Sequence, residues 1–269
     1  MYDIFNIKNI EQSYIVCSTG RSGSTLLCRT LKQFNHCGNP EEYFHHYKIK
    51  QFKLKGEPDN FISYFNSVVQ EGTTNGIFGM KMHWWQMYEL IKLAKESPLF
   101  EKKKDIEILN SLFPNLKFIY IWRQDMIAQA VSTIIALQRK VWNINSSNST
   151  NEPNLKKEVN LNKTDTVLKF QPLSIYKWEQ KFQDQNRRWK IFFKENNLNY
   201  YEVTYENLTS CFEEEIKNVL EFLGIDKTLI PKEIKMATQK VSTDINQKYI
   251  DYYKMFPKLL LKALNKLDS

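Results

Sequence analysis

Apolar residues along the chain form two alternating patterns: short unbroken runs, and longer stretches in which they recur every three or four positions. A short β-branched and aromatic run is typical of a buried strand, and the longer recurrence is typical of a helix with one covered face. The runs predict strands at Ser13–Ser18, Ile77–Met82, Leu116–Trp122 and Asn199–Tyr205. The recurrences predict helices at Ser24–Phe34, Phe61–Glu71, Trp84–Glu96, Asp125–Trp142, Gln171–Asn197 and Cys211–Ile225, and two short C-terminal helices, one of which starts after Pro257.

The order of these elements, strand then helix along the chain, predicts an α/β fold with a mostly parallel sheet and helices on both faces. Such sheets bind ligands beyond the carboxyl ends of their strands. We expect one domain over residues 1–269, because this length suits a single large core. Residues 143–165 are polar and rich in turn formers, which indicates a surface insertion or a mobile loop.

The composition argues against disordered and fibrous classes, because 42% hydrophobic and 25% charged residues are ordinary globular values. A net charge of +8 permits a nucleic acid, an anionic membrane or a small polyanion as partner, without choosing among them. The four cysteines form no Cys-x-x-Cys pair, so we expect no metal site. We expect a cytoplasmic protein, since neither a secretory signal nor a span of roughly 20 apolar residues is visible.

A glycine- and serine-rich loop follows the first predicted strand and leads into a helix. It consists of Gly20, Arg21, Ser22, Gly23, Ser24 and Thr25. The loop lacks the lysine of a P-loop that binds a nucleoside triphosphate. Its glycines allow close backbone approach, and the amides at the start of the following helix carry partial positive charge. With the arginine and the hydroxyls, this loop is predicted to hold a tetrahedral anion.

A second anion site is predicted after the strand Leu116–Trp122. Arg123 follows that strand directly, and Ser132 lies nearly three turns into the next helix. If the two strands are neighbours, both anion-binding features lie at one edge of the sheet.

Candidates for acid–base chemistry are concentrated after the first helix. The segment NPEEYFHH offers Glu41, Glu42, His45 and His46, and His36 lies shortly before it. A carboxylate or an imidazole could accept the proton of an attacking hydroxyl group, and the residues alone leave these alternatives open. Lys81, near the end of the strand Ile77–Met82, is a candidate second cation.

The chain resembles a known family in several segments that occur in the same order. They are GRSGSTLL (20–27), GNPEEYF (38–44), FGMKMHW (78–84), RQDMIAQAVS (123–132) followed by QRKVW, and YEVTYENL (201–208) followed by LEFLGID. Together they resemble the bacterial trehalose 2-sulfotransferase family, from about Tyr14 to about Tyr253 and outside residues 143–165. Each segment is weakly specific, whereas the ordered set is strongly specific.

The resemblance implies a P-loop-containing, sulfotransferase-like three-layer sandwich. It implies 3′-phosphoadenosine 5′-phosphosulfate (PAPS) as the sulfuryl donor and a hydroxyl of a carbohydrate or glycolipid as the acceptor. The loop Arg21–Thr25 would hold the 5′-phosphosulfate, and Arg123 with Ser132 would hold the 3′-phosphate. Glu42 would be the general base, with Arg21 and Lys81 as catalytic cations. A homodimer is compatible with the family, and Lys240 and Ser242 are weaker candidates for phosphate contacts.

Two departures from the family leave the acceptor open. The family commonly has Gly-Glu-Pro where this chain has Gly38-Asn39-Pro40, and it tends to have a larger polar residue at Gly20. Aromatic residues could stack on sugar faces or belong to the core, namely Tyr43, Trp84, Trp85 and Trp142. The alternatives to a sulfotransferase are a P-loop nucleotide-dependent kinase and a basic nucleic-acid-binding protein; we expect no nucleic-acid partner, because no recognised module is visible.

Overall fold

The structure is a computed structural model that describes residue 5 and residues 7–54, 61–140, 167–231, 233–237 and 244–267. The described residues form a five-stranded sheet in which the second strand in the chain is antiparallel to its neighbour and the other pairs are parallel. The strands are β1 (Gln12–Ser18), β2 (Thr73–Thr74), β3 (Ile77–His83), β4 (Leu116–Trp122) and β5 (Tyr200–Thr204). Their order across the sheet is β2-β3-β1-β4-β5.

Helices connect the strands and continue after the last one. They are α1 (Ser24–Leu31), α2 (His46–Leu54), α3 (Phe61–Gly72), α4 (Trp84–Lys95), α5 (Asp105–Leu112), α6 (Met126–Arg139), α7 (Pro172–Glu195), α8 (Tyr205–Ser210), α9 (Phe212–Leu223), α10 (Asp244–Met255) and α11 (Lys258–Leu267). The four predicted strands and the predicted helices are confirmed in type and position, including the helix after Pro257. Helices α2, α5 and α8 and strand β2 were not predicted.

Several predicted boundaries differ from the structure by a few residues, and at three of them local backbone chemistry ends or starts the element. Helix α1 stops at Leu31, because the amides of Gln33 and Phe34 bond three residues back in a tightening turn, Phe34 N to the Leu31 carbonyl at 3.0 Å. Helix α6 ends at Arg139 because Lys140 adopts a left-handed conformation at φ 56°. Tyr205 starts α8 rather than ending β5, because the Thr204 hydroxyl accepts from Asn207 N and caps that helix. Trp142, residues 143–165, Lys240 and Ser242 lie outside the described residues.

The sheet is covered on both faces, which gives a three-layer arrangement of helices, sheet and helices. Alternate strand residues such as Ile15 and Cys17 pack in one core with α3, α4, α5 and α7. Their neighbours, such as Tyr14 and Val16, pack in a second core with α1 and α9. A third apolar cluster joins α6 to α7, α10 and α11. This confirms the predicted mostly parallel sheet with helices on both faces.

The register brings the carboxyl ends of three strands together. Ser18, the last residue of β1, pairs with His83 of β3 on one side and with Ile121 of β4 on the other. The loop after β1, the start of α4 and Arg123 therefore lie at one edge of the sheet. In the described part of the chain, no helix is long and apolar enough to cross a membrane.

Candidate active site

The loop from Thr19 to Gly23 joins β1 to α1 and leads into the N-terminus of that helix. Arg21 and Gly23 both have positive φ, at 61° and 88°. The buried Ser22 hydroxyl donates to the Thr19 carbonyl at 2.8 Å, which closes the turn on itself. Gly23 is the N-cap of α1, and no side chain among the described residues caps its amides. These amides remain available for an anion.

Two side chains from distant helices fix this loop. Gln129 of α6 is fully buried, and its Nε2 donates to the Thr19 hydroxyl at 2.8 Å and to the Gly20 carbonyl at 2.6 Å. Trp189 of α7 donates from Nε1 to the Ser18 carbonyl at 3.1 Å. Neither residue was predicted to have a role. Because these bonds are wholly or partly buried, they hold the loop in one conformation.

Lys81 lies between the loop and Glu42. Its Nζ is 3.2 Å from the Thr25 hydroxyl and 2.6 Å from Glu42 Oε1. The segment that carries Glu42 reaches this place because Lys81 N donates to the Glu41 carbonyl at 2.9 Å, next to β3. Gln86 of α4 donates to the other carboxylate oxygen of Glu42 at 2.8 Å. The predicted cation and the predicted base are therefore direct partners.

The pair is charged in the folded protein. Burial raises the pKa of Glu42, but Lys81 and His83, together with hydrogen bonds from Lys81 and Gln86, outweigh burial and hold this pKa well below its ordinary value. Burial lowers the pKa of Lys81, but the Glu42 carboxylate more than offsets it and raises this pKa above the ordinary value. Lys81 is 7% exposed, so the carboxylate compensates a buried charge.

His83 adds a group that the sequence prediction missed. Its Nδ1 is 3.0 Å from the Ser18 hydroxyl, and its Nε2 is 3.8 Å from Glu42 Oε2. Burial lowers the pKa of His83, with Lys81 acting in the same direction and Glu42 opposing, so the ring is favoured in its neutral form. The backbone of His83 donates to Gln86 Oε1 at 2.7 Å, which orients Gln86 toward Glu42.

Two of the histidines considered as rival bases, His45 and His46, lie beside the ring of Trp85. The rings of His45 and His46 pack at a tilt with centroids 4.3 Å apart, and the ring of His45 also lies 5.2 Å from that of Trp85. Burial lowers the pKa of His45. Tyr43 is buried and Trp84 packs on Trp189 at 5.0 Å, so both belong to the core.

The second predicted anion site lies on the β4 side of the loop. The Arg123 guanidinium stacks 4.4 Å from the Tyr205 ring centroid, and its Nε is buried without a hydrogen-bond partner among the described residues. Ser132 of α6 accepts from Arg21 Nε at 3.1 Å. Ser132 thus reaches the loop after β1, which the sequence did not predict.

The structure brings the predicted site residues to one edge of the sheet. Glu42 and Lys81 lie on the β3 side, and Arg123 and Ser132 lie on the β4 side. The loop residues between them are Gly20, Arg21, Ser22, Gly23, Ser24 and Thr25. Their individual roles in binding and catalysis stay predictions.

A mostly parallel sheet with a glycine-rich loop after its first strand, beside a buried lysine–carboxylate pair, is compatible with a transferase of the sulfotransferase class. The family model described as Stf0 sulphotransferase matches residues 13–255, and the chain belongs to that family. The chain is 26% identical over 255 residues to the trehalose 2-sulfotransferase of Mycolicibacterium smegmatis, covering 82% of this chain and 88% of the relative. It is 24% identical over 275 residues to the enzyme of the same name from Mycobacterium tuberculosis, covering 90% and 94%.

Proposed function

We propose that the protein transfers the sulfuryl group of PAPS to a hydroxyl group of a carbohydrate or glycolipid, with Glu42 as the general base. The observation that carries this proposal is the position of Lys81, which contacts the anion loop at Thr25 and the carboxylate of Glu42. A reaction between an anionic donor and a neutral alcohol needs a cation and a base side by side. Family membership favours sulfuryl transfer over the kinase and nucleic-acid alternatives.

The residues fit a donor that carries phosphate at both ends of one nucleoside. On one side, the uncapped amides of α1 and the Thr25 hydroxyl suit a 5′-phosphosulfate. On the other side, Arg123 has a buried Nε with no partner within the described chain, and such an orphaned donor is favourable beside an anion. Ser132 supplies a hydroxyl there. We assign the 3′-phosphate to Arg123 and Ser132.

The chemistry divides among the residues as follows. The donor supplies an electrophilic sulfuryl group, which transfers in line like a phosphoryl group. Glu42, ionised at neutral pH, accepts the proton of the attacking hydroxyl. Lys81 and the α1 amides hold negative charge on the 5′ side of the loop. Gln86 holds the carboxylate of Glu42 in orientation through its bond to Oε2.

The acceptor is proposed to lie beside Glu42. His45, His46 and Trp85 form a partly exposed group of rings next to this carboxylate, and such rings stack on sugar faces. The two relatives are named for trehalose. Asn39 stands where the family commonly has a carboxylate, so we propose a related carbohydrate hydroxyl rather than assigning trehalose itself.

The direct test incubates the purified protein with PAPS labelled in its sulfuryl group and a panel that contains trehalose, other disaccharides and glycolipids. We expect label in one class of acceptor, and tight binding of adenosine 3′,5′-bisphosphate, the desulfated product. A protein that binds neither PAPS nor adenosine 3′,5′-bisphosphate would contradict the proposal.

The variant Glu42→Gln tests the proposed role of Glu42 as the general base. We expect this variant to bind adenosine 3′,5′-bisphosphate and to lose turnover by on the order of 100- to 10,000-fold, the usual contribution of a general base. Glu41→Gln is the control, because Glu41 forms an exposed pair with Lys32 at 3.4 Å and should retain turnover. Equal turnover in Glu42→Gln and the wild type would remove Glu42 from this role.

A further inference from the structure

Helix α11 exposes most of its leucine residues. Of the five leucines in its sequence KLLLKALNKL, Leu261 is fully buried in the apolar cluster that joins α11 to α7 and α10. The other four are between 39% and 87% exposed, namely Leu259, Leu260, Leu264 and Leu267. Leucine is usually buried, and a group of exposed leucines on one short helix indicates a surface that contacts another molecule.

The four exposed leucines share one face of α11, which we call the leucine face. A helix turns by about 100° per residue, so Leu260, Leu264 and Leu267 fall in one row and Leu259 lies beside it. The lysines at positions 258, 262 and 266 recur every four residues and form a second row between the leucine face and the buried Leu261. No acidic residue occurs in 258–267, so the helix combines an apolar face with a basic flank.

The helix is fixed on the domain, although its leucine face is exposed. Glu179 of α7 accepts from the Tyr253 hydroxyl of α10 at 2.6 Å and from Lys258 Nζ of α11 at 2.7 Å. Leu261 belongs to the apolar cluster that contains Tyr253. A surface that is ordered before it binds loses little conformational entropy on binding. Helix α11 therefore presents the leucine face in a fixed orientation.

A basic helix with an apolar face is typical of a segment that lies in the surface of an anionic membrane. With ten residues, α11 is about 15 Å long, which is about half of what a membrane span requires. It can therefore lie in the plane of the headgroups, with its leucines toward the acyl chains. The exposed Lys262 and Lys266 flank the leucine face, where their ammonium groups can reach lipid phosphates on flexible stems.

A second copy of the chain fits the leucine face less well. Two α11 helices packed face to face would bring identical lysine rows to one interface, and like charges there repel each other. A helix about 15 Å long also offers less than the roughly 800 Å² that each partner buries in a standard interface. Anionic lipid satisfies both the leucines and the lysines.

We propose that the leucine face of α11, together with its lysine row, docks the protein on an anionic membrane surface, with the helix in the plane of the headgroups. The family match ends at residue 255, so α11 lies outside the matched segment. The proposal goes beyond the proposed function and does not depend on which reaction the site performs.

The test is flotation of the purified full chain with vesicles of two compositions, phosphatidylcholine alone and phosphatidylcholine mixed with phosphatidylglycerol. We expect the wild type to bind the anionic vesicles and not the neutral ones, because the lysines need lipid charge. Binding should fall as the salt concentration rises, since salt screens this attraction.

Two variants of α11 separate the apolar and the charged contributions. The double variant Leu259→Gln with Leu267→Gln changes the two most exposed leucines and should bind anionic vesicles at least about 10-fold more weakly. Lys262→Gln should weaken binding about 5-fold, as for one lysine near an anionic surface. Thermal unfolding checks that both variants are folded.

The chain offers a matched control for each variant. Leu229, in the turn after α9, is 48% exposed, and Leu229→Gln should bind like the wild type. Lys102, exposed between α4 and α5, is the control lysine, and Lys102→Gln should also bind like the wild type. Hydrogen–deuterium exchange locates the contact: anionic vesicles should slow exchange in peptides from residues 258–267 and leave β1 unchanged.

A wild-type protein that does not float with anionic vesicles would overturn the proposal. Equal binding by the wild type and the double leucine variant would place the contact outside α11 and overturn it as well. A dimer of the wild type that the double leucine variant lacks, measured by sedimentation without vesicle binding, would assign the leucine face to a second copy instead.

Discussion

Lys81 is a buried lysine whose ammonium group contacts both Glu42 and Thr25. Its contact with Glu42 at 2.6 Å compensates the desolvation of both groups, and its contact with Thr25 faces the anion loop. Removing one member of a buried ion pair costs more than the pair itself contributes, because the other charge is left unpaired. Substitutions here therefore change stability as well as turnover.

The pH dependence of stability should report the ionisation of Glu42. Its pKa is lower in the folded chain than the ordinary 4.5, so its contribution is fully present above about pH 4.5 and is lost as pH falls. We expect the free energy of unfolding of the wild type to decline below that pH more steeply than that of Glu42→Gln. Urea unfolding from about pH 3 to pH 7 measures this.

Glu41→Gln is again the control, and its curve should follow the wild type, because an exposed pair contributes little. If the free energies of unfolding of Glu42→Gln and of the wild type declined in parallel as pH falls, the partners of Glu42 would not lower its pKa.

The two glycines of the loop should differ in their tolerance of a methyl group. Gly23 has φ 88°, and an added Cβ would lie 2.8 Å from Tyr205 Cδ2. We expect Gly23→Ala to lower the free energy of unfolding by about 1–3 kcal/mol. Among the residues that the structure describes, a Cβ at Gly20 would meet only Phe182, at 4.0 Å, so Gly20→Ala should stay within about 0.5 kcal/mol of the wild type. Equal Tm shifts for the two variants would contradict this account.

At the scale of elements, the close contact of β1 with β3 depends on a glycine, Gly79 of β3. Tyr14 of β1 pairs with Gly79 of β3, and the Tyr14 hydroxyl donates to the Cys37 carbonyl at 2.6 Å. A Cβ at position 79 would lie 2.6 Å from the tyrosine ring. A glycine in a strand interior here marks close approach of a bulky neighbour.

Gly79→Ala should therefore destabilise the protein by about 1–3 kcal/mol through overpacking. The loss of stability caused by Gly79→Ala should be smaller in a Tyr14→Leu background, because leucine has no ring above position 79. A double-mutant cycle in urea measures the coupling. Additive effects would mean that the ring is not the obstacle.

The sequence predicted those elements whose pattern is set by burial. Strand β4 is apolar because both faces of the sheet are covered, and its run LKFIYIW was recognised for that reason. Helix α2 was missed because HYKIKQFKL has little amphipathic pattern. Helix α5 carried a usable signal in the acidic side chains of its first turn, Asp105 and Glu107, and Glu107 accepts from the backbone N–H of Lys104.

From the residues alone, the site was predictable where a residue directly follows a strand, whereas the family resemblance supplied the roles of Glu42 and Lys81. The loop after β1 and Arg123 were found this way. Gln86 and Gln129 were missed, because their partners lie 44 and 110 residues away in sequence and only the folded sheet brings them together. The direction of Arg21 was also beyond the sequence, since it depends on the position of α6.

At the scale of the whole molecule, one carboxylate ties the C-terminal helices to the rest. Glu179 of α7 is buried, and its Oε2 accepts from the Tyr253 hydroxyl of α10 at 2.6 Å and from Lys258 of α11 at 2.7 Å. Because α10 also packs on α6, this network joins both helices to the side of the fold that carries Ser132.

Glu179→Gln should loosen α10 and α11 while leaving the sheet intact. We expect faster hydrogen–deuterium exchange in peptides from residues 244–267 and unchanged exchange in β1, with a loss of stability of about 1–3 kcal/mol. Glu221→Gln is the matched control, because Glu221 pairs with Lys227 at the surface at 3.2 Å. Faster exchange throughout the chain would indicate a global effect instead.

The contact of Lys81 with both Thr25 and Glu42 also has a consequence for timing. While the Lys81 ammonium is paired with the Glu42 carboxylate, Glu42 is a weak proton acceptor, because its pKa is held well below its ordinary value. An anion in the loop competes for the same ammonium, and each step of Lys81 toward it raises the basicity of Glu42. Under the proposed function, we therefore expect Glu42 to become an effective base only after the donor has bound, so that an alcohol arriving first is not activated prematurely.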